Sequence, residues 1–117
     1  MESDVIDFTK TAALGDPSTE PGRAALAGIL RVYFENASAA CADMRRAGSP
    51  GEVHRHAHRA KGASGVVGAV GMSRLFADLE ARAAAGEIFG AGTYDELESR
   101  LAALRLSAAM QLGVDLT

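Results

Sequence analysis

The sequence predicts an all-α fold, an antiparallel up-and-down four-helix bundle with a short accessory N-terminal helix. Apolar residues recur at helical spacing, and no segment shows the alternation of a β-strand. Short loops rich in Gly and Pro separate four amphipathic segments. The 117-residue chain has no tryptophan and an apolar fraction of 48% that is rich in alanine, so its one core should be built from closely packed helices.

The accessory helix is expected from about Ser3 to Leu14, with a turn at 15–17. A long helix follows and runs to about Ala47; Thr19 can cap it, and Pro21 suits its first turn. Its apolar stripe consists of Leu26, Leu30, Tyr33, Ala37, Cys41 and Met44. These residues share one helix face, which should be buried.

A third helix is expected from about Pro50 to Val67, with Gly68 and Gly71 as termination residues after it. A helical wheel predicts that one side of this helix faces the core, namely Val53, Ala57, Ala60, Ser64 and Val67. The hydroxyl of Ser64 should therefore be buried and bonded to its own helix.

The fourth helix is expected from about Ser73 to Ala85, and its stripe is Leu75, Phe76, Leu79 and Ala83. The fifth should open at Thr93, where Thr93 and Glu96 have the spacing of a capping box. Its stripe is Leu97, Leu101, Leu104 and Ala108. A single domain follows, with the accessory helix and turn at 1–17, the bundle at 18–112 and a tail at 113–117.

Charge and apolar runs exclude several classes of protein. The net charge of −3 argues against a nucleic-acid binder, although residues 45–74 contain six Lys/Arg and one acid. The longest nearly uncharged run, 62–73, is too short to span a membrane, and the N-terminus lacks the apolar region of a signal peptide. The single cysteine, Cys41, is expected to be a core thiol in a reducing compartment, so we expect a cytoplasmic protein.

The stretch "HRHAHRAKGASGVVGAVG", 54–71, contains every histidine of the chain. The wheel places His58, Lys61, Gly62, Gly65 and Ala69 away from the core side of the third helix. Two glycines inside a helix cost about 2 kcal/mol relative to alanine. They could let another helix approach closely or clear space around the histidine, and their outward position favours the second.

This combination of side chains suits a covalent phosphoryl carrier. An imidazole is neutral and nucleophilic near pH 7, and the P–N bond that it forms is labile enough to pass the group on. A lysine one turn beyond His58 can reach a dianionic phosphoryl group.

The stretch "AHRAKGASGVVGAVGMSRLFADLE", 57–80, resembles the signature of histidine-containing phosphotransfer (HPt) domains. The resemblance implies a four-helix bundle in which His58 is phosphorylated through Nε2, Lys61 stabilises the phosphoryl group and Gly62 leaves room for the partner. Glu80 would hydrogen-bond the other ring nitrogen. Ala60 departs from the family, which commonly has leucine there, and this should thin the core beside His58.

The resemblance also implies the partners: the receiver domain of a response regulator, of a hybrid histidine kinase, or of both. We expect no cofactor, because the aspartyl phosphate and Mg²⁺ belong to the receiver. The chain should be a monomer that acts in a phosphorelay. Besides Gly62, the predicted partner-binding residues are His54, Gly65 and Ala69.

Three alternatives stay open. His54 and His58 have a spacing that can chelate Zn²⁺ on one helix face, but His56 projects elsewhere and the neighbouring cations disfavour a metal. The dimerisation and phosphoacceptor domain of a histidine kinase is a second, although Arg59 stands where such domains usually have an acid. A helical adaptor that is never phosphorylated is the third.

Overall fold

The computed structural model describes residues 5–117, and 77% of this part of the chain is helical, with no strand. The all-α prediction is therefore confirmed. The five helices are α1 (Phe8–Ala12), α2 (Glu20–Arg46), α3 (Pro50–Val67), α4 (Val70–Ala84) and α5 (Ala91–Leu112).

Local signals set the bounds of α2 and α3. The Thr19 hydroxyl accepts a hydrogen bond from the Gly22 amide at 3.0 Å and caps α2, as predicted. Ser49 caps α3 in the same way, with its hydroxyl 3.3 Å from the Glu52 amide. Gly68 ends α3 in the left-handed conformation, with φ of 85°. Such a C-terminus favours glycine, so the predicted bounds of α3 are confirmed.

The start of α4 differs from the prediction. The helix begins at Val70, three residues before the expected Ser73. Gly71 is not a termination residue, because it is buried in the first turn of α4. The connection between α3 and α4 is two residues long. Gly68, in the left-handed conformation, turns the chain, and Ala69 is the N-cap of α4.

The capping box predicted for the start of α5 is wrong. Gly90, with an extended backbone, is the N-cap, and α5 begins at Ala91. The amide of Thr93 already bonds the Gly90 carbonyl at 3.1 Å, so Thr93 is inside the helix. Glu96 instead forms an ion pair with Arg100 one turn later.

The accessory helix is shorter than the expected Ser3–Leu14, because α1 covers only Phe8–Ala12. Residues 1–4 lie outside the described part of the chain. The Asp7 carboxylate caps α1, and the buried Thr11 hydroxyl donates to the Val67 carbonyl at 2.8 Å. α1 therefore lies against the C-terminal end of α3, as expected of a helix laid across one end.

One core joins the four long helices. α3 packs against α4 and α2, and α2 packs against α5. The predicted stripes of α2, α3 and α5 are buried; in α4 Phe76, Leu79 and Ala83 are buried and Leu75 is partly buried. The segment after α5 also contributes, since Val114 and Leu116 are buried in the same core.

Cys41 is fully buried among these side chains. Burial raises the pKa of its thiol to about 12, so the thiolate does not form near neutral pH. The prediction of a packed core thiol is confirmed. Within residues 5–117, no helix is both long enough and apolar enough to cross a membrane.

Candidate functional site

His58 lies in the middle of α3, on the side away from the core. Its side chain is 64% exposed, whereas Ala57 and Ala60 on either side are buried. The helical period explains this, because the inward positions alternate in steps of three and four residues and skip position 58. The outward placement predicted from the wheel is therefore what the structure shows.

Glu80 of α4 connects His58 and Lys61. One carboxylate oxygen, Oε2, accepts a hydrogen bond from Nδ1 of His58. The other, Oε1, lies 2.6 Å from Nζ of Lys61. The structure thus brings together the three residues expected to carry the chemistry, from two helices, although their roles remain predictions.

The carboxyl group of Glu80 is held in its ionised form. Its side chain is only 14% exposed, and burial alone would raise its pKa. The hydrogen bond from Lys61, followed by that from His58, outweighs burial and lowers the pKa below the usual 4.5. At neutral pH Glu80 is therefore an anion that accepts from both α3 side chains.

This geometry sets the tautomer of the His58 ring. A carboxylate can only accept, so Nδ1 carries the proton and donates it to Glu80. A neutral imidazole has a single N–H, which leaves a lone pair on Nε2. Within residues 5–117 no hydrogen bond reaches Nε2 of this exposed ring. The site therefore presents a nucleophilic nitrogen to the outside.

The glycines beside His58 differ in their surroundings. A Cβ on Gly62 would have no atom within 4 Å, so this exposed glycine is not required for helix packing. Gly65 is half-buried, and a Cβ there would lie 3.8 Å from Oγ of Ser73 on α4. A side chain could therefore be added at Gly62 without touching the rest of the protein, whereas Gly65 lies at the margin of the α3 and α4 contact.

Ala69 does not lie on the outer face. It is only 5% exposed and packs in the core, so the predicted outward position, on which its partner-binding role was based, is wrong. The reason is that α3 ends at Gly68. Beyond that left-handed residue the helical wheel no longer gives the direction of a side chain.

Comparison with known proteins shows the family of the chain. The Hpt domain family model matches residues 28–109, well over half of the chain. The chain belongs to the Hpt domain family. Hpt domains carry out phosphotransfer in phosphorelays and interact with receiver domains. No curated protein and no solved structure gives a significant match.

The other two histidines of the Hpt domain point in different directions. His54 is half-buried, and its ring stacks on that of His58 with centroids 6.4 Å apart. Nδ1 of His56 accepts from the Arg59 guanidinium at 2.6 Å, on a different side of α3. Among residues 5–117 no three His, Cys, Asp or Glu side chains are placed to hold a metal ion.

Beneath the outer face, Ser64 has the structural role predicted for it. Its hydroxyl donates to the Ala60 carbonyl at 2.7 Å, within α3. That proton is then in use, so the Tyr33 hydroxyl, 2.7 Å away, donates to Oγ of Ser64. Burial raises the pKa of Tyr33 to about 12. This buried pair joins α2 to the core side of α3, the helix that carries His58.

Two contacts of the site were not predicted from the sequence. Nδ1 of His54 lies 3.1 Å from the Glu80 carbonyl oxygen. The Ser73 hydroxyl donates to the Lys61 carbonyl at 3.1 Å. Both join α3 to α4, and both depend on how far one helix is shifted along the other. No pattern within either helix carries that information.

Proposed function

We propose that this protein accepts a phosphoryl group on Nε2 of His58 from the aspartyl phosphate of a receiver domain, and passes it to another receiver or back. The observation that carries the proposal is the hydrogen bond from Nδ1 of the exposed His58 to Glu80, which leaves the other nitrogen as the nucleophile.

Bonds and charges balance in the transfer step between His58 and the aspartyl phosphate of the receiver. The lone pair on Nε2 attacks phosphorus, and the bond from phosphorus to the receiver's aspartate oxygen breaks. The electron pair of that bond leaves with the aspartate carboxylate. The ring gains positive charge as the N–P bond forms, and the Glu80 carboxylate stabilises that charge through Nδ1–H. The same steps in reverse pass the group on.

Lys61 supplies the positive charge for the phosphoryl oxygens. Its ammonium group has three donors, and the bond to Oε1 of Glu80 uses one of them. The side chain is 34% exposed, so the remaining two donors can turn toward a group on His58. Glu80 thereby holds Lys61 beside the ring before the phosphoryl group arrives, which lowers the cost of ordering it.

We also infer the architecture of the protein, its location and its partners. The four long helices form an up-and-down bundle, and the protein works as a monomer in the cytoplasm. Its partners are receiver domains of a response regulator, a hybrid histidine kinase, or both. It needs no cofactor of its own, since the Mg²⁺ ion sits on the receiver. Gly62 is the position where the receiver approaches most closely.

A phosphorylation assay tests the proposal. The purified protein is incubated with phosphoramidate, and separately with phosphorylated receiver domains from the source organism. Wild type should acquire a label that is stable in alkali and lost in acid, as expected of a phosphohistidine. His58→Gln should acquire none. His56→Gln, a histidine two residues away that does not contact Glu80, is the matched control and should label like wild type.

The same assay tests the role of Lys61 in the transfer. Lys61→Ala should slow transfer at least about tenfold, as the loss of one charge-assisted contact to a transferring group predicts. Lys10→Ala, which removes an exposed lysine on α1, should transfer normally. Equal labelling of wild type and His58→Gln, or no label on wild type, would overturn the proposal and favour an adaptor that binds without phosphorylation.

A further inference from the structure

Three donors on one stripe of α3 meet a single residue of α4. His54, His58 and Lys61 are spaced by four and three residues, so they share one face of the helix. Two of them bond the carboxylate of Glu80. The first, His54, reaches the main-chain carbonyl of the same residue at 3.1 Å. α3 therefore holds both the side chain and the backbone of Glu80.

The bond from His54 has a defined direction. A carbonyl oxygen only accepts, so Nδ1 of His54 carries the proton and donates it. The ring is half-buried and lies nearly parallel to that of His58, with an angle of 21° between the two planes. Both rings thus present Nδ1–H to Glu80, one to its backbone and one to its side chain.

We propose that His54 is a positioning residue for phosphoryl transfer. Its Nδ1–H fixes the Glu80 backbone against α3, and this sets the place from which the Glu80 carboxylate orients His58. The inference deepens the proposed function and rests on it. A displacement of about 1 Å in a catalytic group can lower a rate by about a hundredfold, so a bond one helical turn from His58 can control its reactivity.

The variants separate the donor from the shape of the side chain. His54→Leu puts an apolar side chain of similar bulk in place of the ring and removes the donor. His54→Asn restores an N–H close to the position of Nδ1. His56→Leu is the matched control, because His56 lies on the same helix and makes no hydrogen bond to Glu80. His54→Ala replaces the leucine variant should that one not fold, as judged by circular dichroism.

The first readout is the tautomer of His58, measured by ¹H–¹⁵N NMR of the ring nitrogens. It needs no phosphodonor and no receiver. Wild type, His54→Asn and His56→Leu should show the Nδ1–H form. His54→Leu should show a mixture with the Nε2–H form, because a displaced carboxylate no longer selects one tautomer. A change in overall stability alone would not alter this ratio in folded protein.

The second readout is the rate of His58 phosphorylation by phosphoramidate. His54→Leu should be phosphorylated at least about ten times more slowly than wild type. The rate of His54→Asn should lie within about threefold of wild type, and the rate of His56→Leu should equal it. An unchanged tautomer ratio and rate in His54→Leu would overturn the inference while leaving His58 as the acceptor. A wild type that is not phosphorylated would overturn the proposed function, and the tautomer measurement would still decide whether His54 positions Glu80.

Discussion

Replacing Gly62 tests whether the bare surface beside His58 exists for a partner. The residue is inside α3, and a Cβ there would meet no atom within 4 Å. A glycine in a helix interior is about 1 kcal/mol less favourable than alanine. Gly62→Ala should therefore raise the free energy of unfolding by about 1 kcal/mol, and raise the melting temperature by about 4 °C for a chain of this size.

A larger side chain at the same position should separate stability from function. Leucine is also a good helix former, so Gly62→Leu should be at least as stable as wild type. Residues four apart on a helix are neighbours, so the new side chain would stand beside the His58 ring. We expect transfer from a phosphorylated receiver to fall at least about tenfold, which corresponds to about 1.4 kcal/mol. Labelling by phosphoramidate, a small donor, should change little.

Gly28 is the matched control. It is an exposed glycine inside α2, and a Cβ there would also meet nothing within 4 Å. Gly28→Leu should stabilise the protein similarly and leave transfer unchanged. Two results would refute the reasoning about Gly62: normal receiver transfer in Gly62→Leu, or a loss of stability in Gly62→Ala.

Two further predictions concern stability. Gly68→Ala should lower the free energy of unfolding by about 1 kcal/mol more than Gly86→Ala in urea titrations, although both glycines have positive φ. Only at Gly68 would the Cβ strike other atoms, the Asp7 carbonyl among them at 2.6 Å; equal losses would contradict this. Burial raises the folded-state pKa of Cys41 to about 12 from 9.0. The contribution of this thiol to the free energy of unfolding is therefore complete below pH 9 and is lost as the pH rises toward 12. Between pH 9 and pH 10 the free energy of unfolding of wild type should fall with a slope that approaches about 1.4 kcal/mol per pH unit. Cys41→Ala should lack this slope until the raised pKa of Tyr33 adds its own above pH 10, so parallel curves for the two proteins between pH 9 and pH 10 would refute the prediction.

The sequence predicted the fold best where a single residue has only one favourable use. Thr19 and Gly68 are a helix cap and a left-handed terminus, and both mark the helix ends that were expected. It failed where two local signals compete. At the start of α5 the pair Thr93 and Glu96 has capping-box spacing, but Gly90 with its extended backbone begins the helix earlier. Pattern alone does not rank the two signals.

The candidate site likewise has a part that the sequence predicted and a part that it could not. The outward position of His58 follows from the period of α3, and it could be predicted without any knowledge of the other helices. The contact from His54 to the Glu80 carbonyl could not, because it depends on how α3 and α4 are shifted along each other. That Glu80 reaches His58 was expected only through resemblance to a family.

The charge of Glu80 explains why an acid suits this position better than an amide. A glutamine could accept from Nδ1 of His58, but its NH₂ group would then face the Lys61 ammonium, which can only donate. A carboxylate satisfies both donors at once, and Lys61 in turn keeps the pKa of Glu80 low. In the proposed transfer, a phosphoryl group on Nε2 would be a second anion beside Lys61, and Glu80 would balance the positive charge that the ring gains. Under that proposal, the ion pair that is present before transfer would also stabilise the phosphorylated ring, with no change in which residues are involved.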